Sequence, residues 1–193
     1  MNLDNEYWSS RYIENSTGWD AGIITTPLKE YIDQLVDKDI AILIPGCGNS
    51  YEAGYLLQQG FTNITVIDIS TFLCKKLEIK FEALPSSRLS IICADFFDHA
   101  GEYDLVIEQT FFCAIDPSLR NRYSEKIYQL LKPGGKLVGL FFNRVFAAGP
   151  PFGGTEIEYR QLFQQRFTIA TMENCYNSIV SRKDTELFVR LIK

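Results

Sequence analysis

The chain has a single histidine, His99, among 193 residues. This excludes zinc sites built on several histidines as well as H-E-x-x-H chemistry, and it leaves any Ser-His-Asp triad resting on one residue. Five cysteines, Cys47, Cys74, Cys93, Cys113 and Cys175, are an odd number and include no C-x-x-C pair. Most stand in apolar runs, where cysteine behaves as a small hydrophobe, so a reducing compartment and no metal centre are expected. No run approaches the roughly 18 uninterrupted apolar residues of a membrane span. The start, MNLDNEYWSSRY, places acids before its first base and has no apolar stretch, unlike a secretion signal or a basic transit peptide. A cytoplasmic protein with no membrane partner is the expectation. With 19 Lys and Arg against 24 Asp and Glu, the formal net charge is −5; no basic cluster offsets it, which argues against a nucleic-acid partner. Repeats, low-complexity tracts and linker-like stretches are also missing, so residues 1–193 read as one domain, expected to be a monomer. What remains, 46% hydrophobic and 22% charged, is globular composition with enough chain to bury a core.

The pattern that is present alternates strand and helix. Ile40 to Ile44 is a short continuous apolar run ending at Pro45-Gly46, the form of a strand buried on both faces. The form returns at 64–67, 89–92, 105–107 and 137–141. Helical spacing occupies 27–37, 51–59, 71–83 and 118–131, the last opened by Asp116-Pro117 and closed by Lys132-Pro133-Gly134-Gly135. Thr155 to Glu158 is a capping box that opens one more helix. Strand-like 167–174 and 186–192 follow, too close together for a helical crossover, so they should pair antiparallel. The expected fold is α/β: a Rossmann-like, doubly wound sheet of about seven strands, parallel with an antiparallel C-terminal hairpin, in the order of a methyltransferase more than of a dehydrogenase.

Candidate ligand residues fall at the carboxyl ends of these strands, where such sheets bind ligands. Gly46 and Gly48 form a Gly-x-Gly turn after the first strand. Asp68 ends the second, twenty residues beyond Gly48, where a carboxylate can accept from both ribose hydroxyls. Asp95 ends the third, with Phe96 available to stack on a base. Together they favour a nucleoside. A dinucleotide fingerprint would need small residues where Ser50 and Tyr51 stand, so S-adenosylmethionine fits better than NAD. After the fourth strand, Glu108 or Gln109 could engage the methionine part, and Phe111 and Phe112 could wall a pocket or be core. The Gly/Pro-rich loop 146–154, carrying Phe152, is either a lid or a rigid connection. His99 reads as a surface-loop residue, Cys47 as a small side chain inside the turn, and Arg120 as a surface helix charge more readily than an anion-attracting group.

Longer motifs carry a resemblance. Trp8-x-x-x-Tyr12, Trp19-Asp20-x-Gly22, Thr26-Pro27, Ile44-Pro45-Gly46-Cys47-Gly48, Phe111-Phe112-Cys113-Ala114-Ile115-Asp116-Pro117, Leu130-Leu131-Lys132-Pro133 and Gly149-Pro150-Pro151-Phe152 occur in that order. The set resembles the thiopurine S-methyltransferase family, especially its plant halide/thiol methyltransferase branch, over nearly the whole chain. The resemblance implies an N-terminal segment, residues 1–26, that folds over the cofactor with Trp8, Tyr12 and Trp19 as contacts. It also places contacts at Gly46, Asp68, Asp95, Phe96 and Gln109. Tyr12 replaces a usual Trp, and Gln109 stands where relatives carry Arg or Tyr, departures that bear on substrate choice.

The implied reaction is in-line methyl transfer from S-adenosylmethionine to a small soft nucleophile: a thiol, hydrosulfide, halide or heteroaromatic thiol. A dry apolar pocket strips water from such a nucleophile, and alignment supplies much of the rest. No dedicated base is required, and no catalytic residue is assigned. An O- or N-methyltransferase of a small metabolite, or a module that binds cofactor without turnover, would share the cofactor residues.

Overall fold

The computed structural model describes residues 2–85 and 87–193. Its centre is a seven-stranded sheet built from β1 (Ile42–Pro45), β2 (Ile64–Asp68), β3 (Leu89–Cys93), β4 (Tyr103–Gln109), β5 (Leu131–Phe142), β6 (Thr168–Asn174) and β7 (Glu186–Ile192), in the spatial order β3-β2-β1-β4-β5-β7-β6. The first five run parallel, and β7 lies antiparallel to both β5 and β6. Parallel strands with antiparallel terminal ones are what the sequence implies; the structure adds that β7 is inserted between β5 and β6.

Buried runs become central strands because alternate residues serve opposite faces. Leu43, Val106, Leu137 and Phe141 join one core layer, whereas Ile42, Ile44, Leu105, Ile107, Val138 and Leu140 join the other. The first layer is closed by α5 (Arg120–Leu130) and α6 (Glu156–Phe163), through Tyr123, Ile127, Tyr159 and Phe163. The second is closed by α2 (Thr26–Asp33), α3 (Tyr51–Gln58) and α4 (Thr71–Lys80), through Leu28, Ile32, Ala53, Leu56, Leu73 and Leu77. The capping box of α6 is formed: Thr155 Oγ1 accepts from Glu158 N–H at 3.3 Å, while Thr155 N–H donates to Glu158 Oε2 at 2.8 Å.

Several helices differ from their spacing. The helix expected over 27–37 ends at Asp33, and Val36 is 91% exposed rather than on the buried face; Leu35 N–H turns back to Ile32 O at 3.0 Å and Lys38 closes the turn on Leu35 O. Residues 117–119 form a 3-10 turn before α5, because the Asp116 carboxylate accepts from Ser118 N–H at 2.9 Å. An additional helix, α1 (Asn5–Ile13), stands on the cap Asp4, whose side chain accepts from Tyr7 N–H. It docks on the start of α4 by polar contacts: Asn5 Oδ1 accepts from Thr71 N–H at 2.8 Å, and the Ser9 and Ser70 hydroxyls lie 3.0 Å apart.

The strand order reverses between β1 and β4, which opens a crevice at their carboxyl ends. The glycine turn leaves β1 there, and Gln109-Thr110 leaves β4.

Candidate active site

A cavity of about 480 Å³ occupies this crevice, a size suited to a small-molecule site. One side is the glycine turn. Gly46 has φ +54°, and a Cβ there would run into the ring of Phe111, so only glycine lets turn and ring meet. Gly48 N–H donates to Asp68 Oδ2 at 3.3 Å, and Ser70 N–H donates to Asp68 Oδ1 at 2.9 Å. Each carboxylate oxygen has a second acceptor position, so Asp68 can take two more hydroxyl donors, as a ribose diol offers. Burial pushes this carboxyl above the usual carboxylate range, opposed by the Ser70 and Gly48 N–H groups.

Another side is lined by the N-terminal segment. Trp19 meets Trp8 edge-to-face at 5.5 Å and Tyr12 at 6.0 Å between ring centroids, and all three face the cavity. Burial, with Asp68 nearby, pushes the Tyr12 hydroxyl up. Asp20 fastens the segment to the glycine turn, accepting from the Asn49 amide and, at 3.3 Å, from the Tyr51 hydroxyl.

The wall opposite begins at Thr110, a β-branched residue with φ +63°, a sparsely allowed conformation. The turn is held by Glu108, fully buried, whose Oε1 accepts from both Phe111 and Phe112 N–H groups. Beyond it lie Phe111, Ile115, Leu119, Arg122, Pro150 and Pro151. Phe96 connects the two sides, with its ring 5.1 Å from that of Phe111. Asp95 reaches the cavity while its carboxylate accepts from Phe97 N–H at 2.8 Å.

Of the residues singled out in the sequence, Trp8, Tyr12, Trp19, Gly46, Asp68, Asp95, Phe96 and Phe111 therefore come together on one cavity. Gly48 stands behind it, bonded to Asp68. Gln109 is turned away from it into a polar network with Thr25, Glu52 and Arg182. Phe112 is core rather than wall: it is 1% exposed and stacked on Phe141 at 4.6 Å. Phe152 is not on the wall either; its N–H donates to Cys113 O at 2.6 Å, holding the loop whose Pro150 and Pro151 are. Arg120 is no surface charge: its guanidinium lies 5.0 Å from the Phe112 ring centroid and donates to Gly153 O at 2.8 Å. His99 sits outside the cavity, half-buried, with Nε2 2.8 Å from the Tyr103 hydroxyl. Sequence reasoning did not single out Thr110 or Arg122. No pattern marks them, since a strained backbone and a helix position facing a cavity are properties of the folded chain. Among the described residues no cluster of side chains suits a metal ion, and no helix is long and apolar enough to cross a membrane.

The sheet order and this crevice are those of the class I S-adenosylmethionine-dependent methyltransferases. One solved structure with this fold is the 1,6-didemethyltoxoflavin-N1-methyltransferase of Burkholderia thailandensis with 1,6-didemethyltoxoflavin and S-adenosylhomocysteine bound. It matches with TM-score 0.77 at 18% identity, over 98% of this chain and 86% of that one. The family model for thiopurine S-methyltransferase matches residues 3–191, and the chain belongs to that family. Among its relatives, a probable thiol methyltransferase 2 of Arabidopsis thaliana is 30% identical over 159 residues, 80% of this chain and 70% of that one. A thiopurine S-methyltransferase of Vibrio cholerae serotype O1 is 27% identical over 176 residues, 83% of this chain and 81% of that one. The protein is an S-adenosylmethionine-dependent methyltransferase with a small-molecule acceptor.

Proposed function

We propose that the chain methylates a small soft nucleophile, a thiol, hydrosulfide, halide or heteroaromatic thiol, and that Trp8, Tyr12, Trp19, Gly46, Asp68, Asp95 and Phe96 hold the cofactor. Bound there, S-adenosylmethionine would supply a methyl group activated by its sulfonium. Four aspartates on the wall, Asp4, Asp68, Asp95 and Asp116, stand against one arginine, which suits a cationic ligand. The Asp68 carboxylate would accept from the ribose hydroxyls, and Phe96 would offer its ring to the base.

The observation that carries the acceptor class is the chemistry of the opposite wall. Phe111, Ile115, Leu119, Pro150 and Pro151 make it apolar. Burial pushes the Cys113 thiol up, and the Ser118 hydroxyl and N–H hold the Asp116 carboxyl below its usual range. An acceptor that arrives ionised, as a halide does, or that ionises readily, as a thiol with an ordinary pKa near 8.5, needs no base from such a wall. Excluding water raises the reactivity of such an anion. The thiol and thiopurine methyltransferase relatives support the same class.

The reading extends to a single domain acting as a cytoplasmic monomer, with residues 1–26 as cover and no nucleic-acid or membrane partner. The test is a panel of thiophenol, hydrosulfide and iodide against a catechol and a primary amine, with product methylation read directly. Turnover of the soft set supports the proposal. Transfer to oxygen or nitrogen alone, or cofactor binding without transfer to any of them, would overturn it.

A further inference from the structure

Arg182 is the buried cation at the junction of the N-terminal cover and the C-terminal strands, and no step of methyl transfer uses it. The side chain is 8% exposed. Its Nη1 donates to Glu186 Oε1 at 3.2 Å, and Glu186 also accepts from the Ser178 hydroxyl at 2.9 Å. Its Nη2 donates to the carbonyl of Trp19 at 2.5 Å. With the Gln109 amide oriented to oppose donors to acceptors, the amide oxygen accepts from Arg182 Nη1 at 2.9 Å while the nitrogen donates to Thr25 Oγ1 at 2.9 Å and Glu52 Oε1 at 3.3 Å. One guanidinium thus bonds three parts of the fold: the start of β7, the end of β4 and the backbone of a cavity-lining tryptophan 163 residues away.

An ion pair with Glu186 would satisfy the charge of Arg182 and fix the terminal strands without any contact to Trp19. The further bonds follow from guanidinium geometry. Its N–H groups form a rigid planar fork that can serve several acceptors at once, which a lysine ammonium on a flexible stem matches poorly. Gln109 immediately precedes Thr110, so the same fork reaches the floor of the cavity at one end and its cover at the other.

We infer that Arg182 is a positioning residue: it clasps the Trp19 backbone to the ends of β4 and β7, holding the N-terminal segment closed over the bound cofactor. The inference rests on the reading of residues 1–26 as cofactor cover. Its consequence is specific, because only the bond to the Trp19 carbonyl reaches the N-terminal segment, while the acceptor wall is held by other contacts, Glu108 Oε1 on the Phe111 and Phe112 N–H groups and the Phe152 N–H on Cys113 O.

The chain's two tryptophans, Trp8 and Trp19, both lie in the segment concerned and serve as its reporters. S-adenosylhomocysteine is titrated into the wild-type chain, Arg182→Met and Arg182→Lys, reading tryptophan emission, Kd and the rate of proteolytic cleavage within residues 1–26. KM is measured for S-adenosylmethionine and for thiophenol. In Arg182→Met, Kd and the cofactor KM should rise about tenfold or more, as loss of a charge-assisted hydrogen bond implies. The acceptor KM should stay within about twofold, and ligand should no longer protect the segment. Arg182→Lys should fall between the two, and if Arg182→Met does not fold, the lysine variant carries the test with the same readouts. Wild-type Kd and protection in the folded variants, or equal rises in both Michaelis constants, would overturn the inference and leave Arg182 a brace for β7. If the wild-type protein binds ligand with no change in emission or protection, the reading of residues 1–26 as cover fails first, and the clasp fails with it.

Discussion

Glu108 holds the backbone of Phe112 through a single oxygen: Oε1 accepts from Phe112 N–H at 2.6 Å, and from Phe111 N–H at 2.7 Å, while Oε2 has no hydrogen-bond partner among the described residues. Complete burial pushes this carboxyl up to about 8, against the pull of the two N–H groups, with Glu186 raising it further and Arg182 lowering it. A carboxyl whose folded value lies above its unfolded value near 4.5 binds more protons in the native state between those two values. Its contribution to stability is therefore lost as pH rises from about 4.5 to about 8, at up to about 1.4 kcal/mol per pH unit. Burial also pushes Glu52 up to about 7, adding to the same slope. Glu108→Gln keeps an acceptor for both N–H groups and removes the ionisation. Thermal unfolding across pH 5–9 should show wild-type stability falling with pH and a shallower fall in the glutamine variant. Equal slopes would show that Glu108 is not the group responsible.

Asp68 serves two masters, the Gly48 and Ser70 N–H groups and, as proposed, the ribose hydroxyls. Asp68→Ala should weaken S-adenosylhomocysteine binding by about ten- to a hundredfold, the range for losing hydrogen bonds to a charged group. Asp68→Asn retains one oxygen acceptor and should fall between. Calorimetric titration checks both; unchanged affinity in the alanine variant would remove Asp68 from the site.

Gly46 is constrained twice, by φ +54° and by the Phe111 ring lying where a Cβ would be. Gly46→Ala should cost about 1–3 kcal/mol of stability, or roughly 2–12 °C in Tm for a chain of this length. It should also weaken cofactor binding, because the turn and Phe111 must separate. Pairing it with Phe111→Ala removes the collision with the ring but leaves the Phe111 Cβ 2.8 Å from the added methyl and the backbone strain in place, so the double variant should be less destabilised than the sum of the two single variants.

How much of this was legible in the sequence follows from what each residue packs against. Ile42 to Pro45 announces itself because a strand covered on both faces must be apolar throughout, and Asp68 and Asp95 are readable because strand ends are where polar groups reach a ligand. The helix α1 gives no such signal. Ser9 is its only buried residue, and its contacts to α4 are hydroxyl and amide bonds, so no apolar stripe of period 3.6 exists to be read; its aromatics were assigned through resemblance alone. Phe111 and Phe112 are adjacent and chemically equal, and only the turn set by Glu108 decides which faces the cavity and which the core. The Gln109 network was beyond reach, because its partners Thr25 and Arg182 are distant in sequence and no local rule pairs them. Arg120 was within reach. It precedes Tyr123, Ile127 and Leu130 at intervals of 3, 7 and 10, on the buried stripe of its helix, and a cation there must have an acceptor.

That acceptor is the loop of residues 146–154, which connects Arg120 to the wall proposed to face the methyl acceptor. Arg120 Nη2 donates to Gly153 O at 2.8 Å and to Phe152 O at 3.3 Å, and its guanidinium covers the rings of Phe112 and Tyr159 at 5.0 and 5.6 Å. Phe152 N–H bonds to Cys113 O from the other side, so Pro150 and Pro151 are carried on a segment pinned at its carboxyl end. Arg120→Met keeps much of the stem's packing and removes the donors, leaving two loop carbonyls without a partner at a cost of about 1–3 kcal/mol. The side of the cavity proposed to hold the cofactor shares none of these contacts. Steady-state kinetics with thiophenol should therefore show the acceptor KM rising and kcat falling, about tenfold in kcat/KM, while the Kd for S-adenosylhomocysteine stays unchanged. A loss of cofactor affinity as large as the loss in kcat/KM would mean that the loop supports the whole cavity and does not shape the acceptor wall alone.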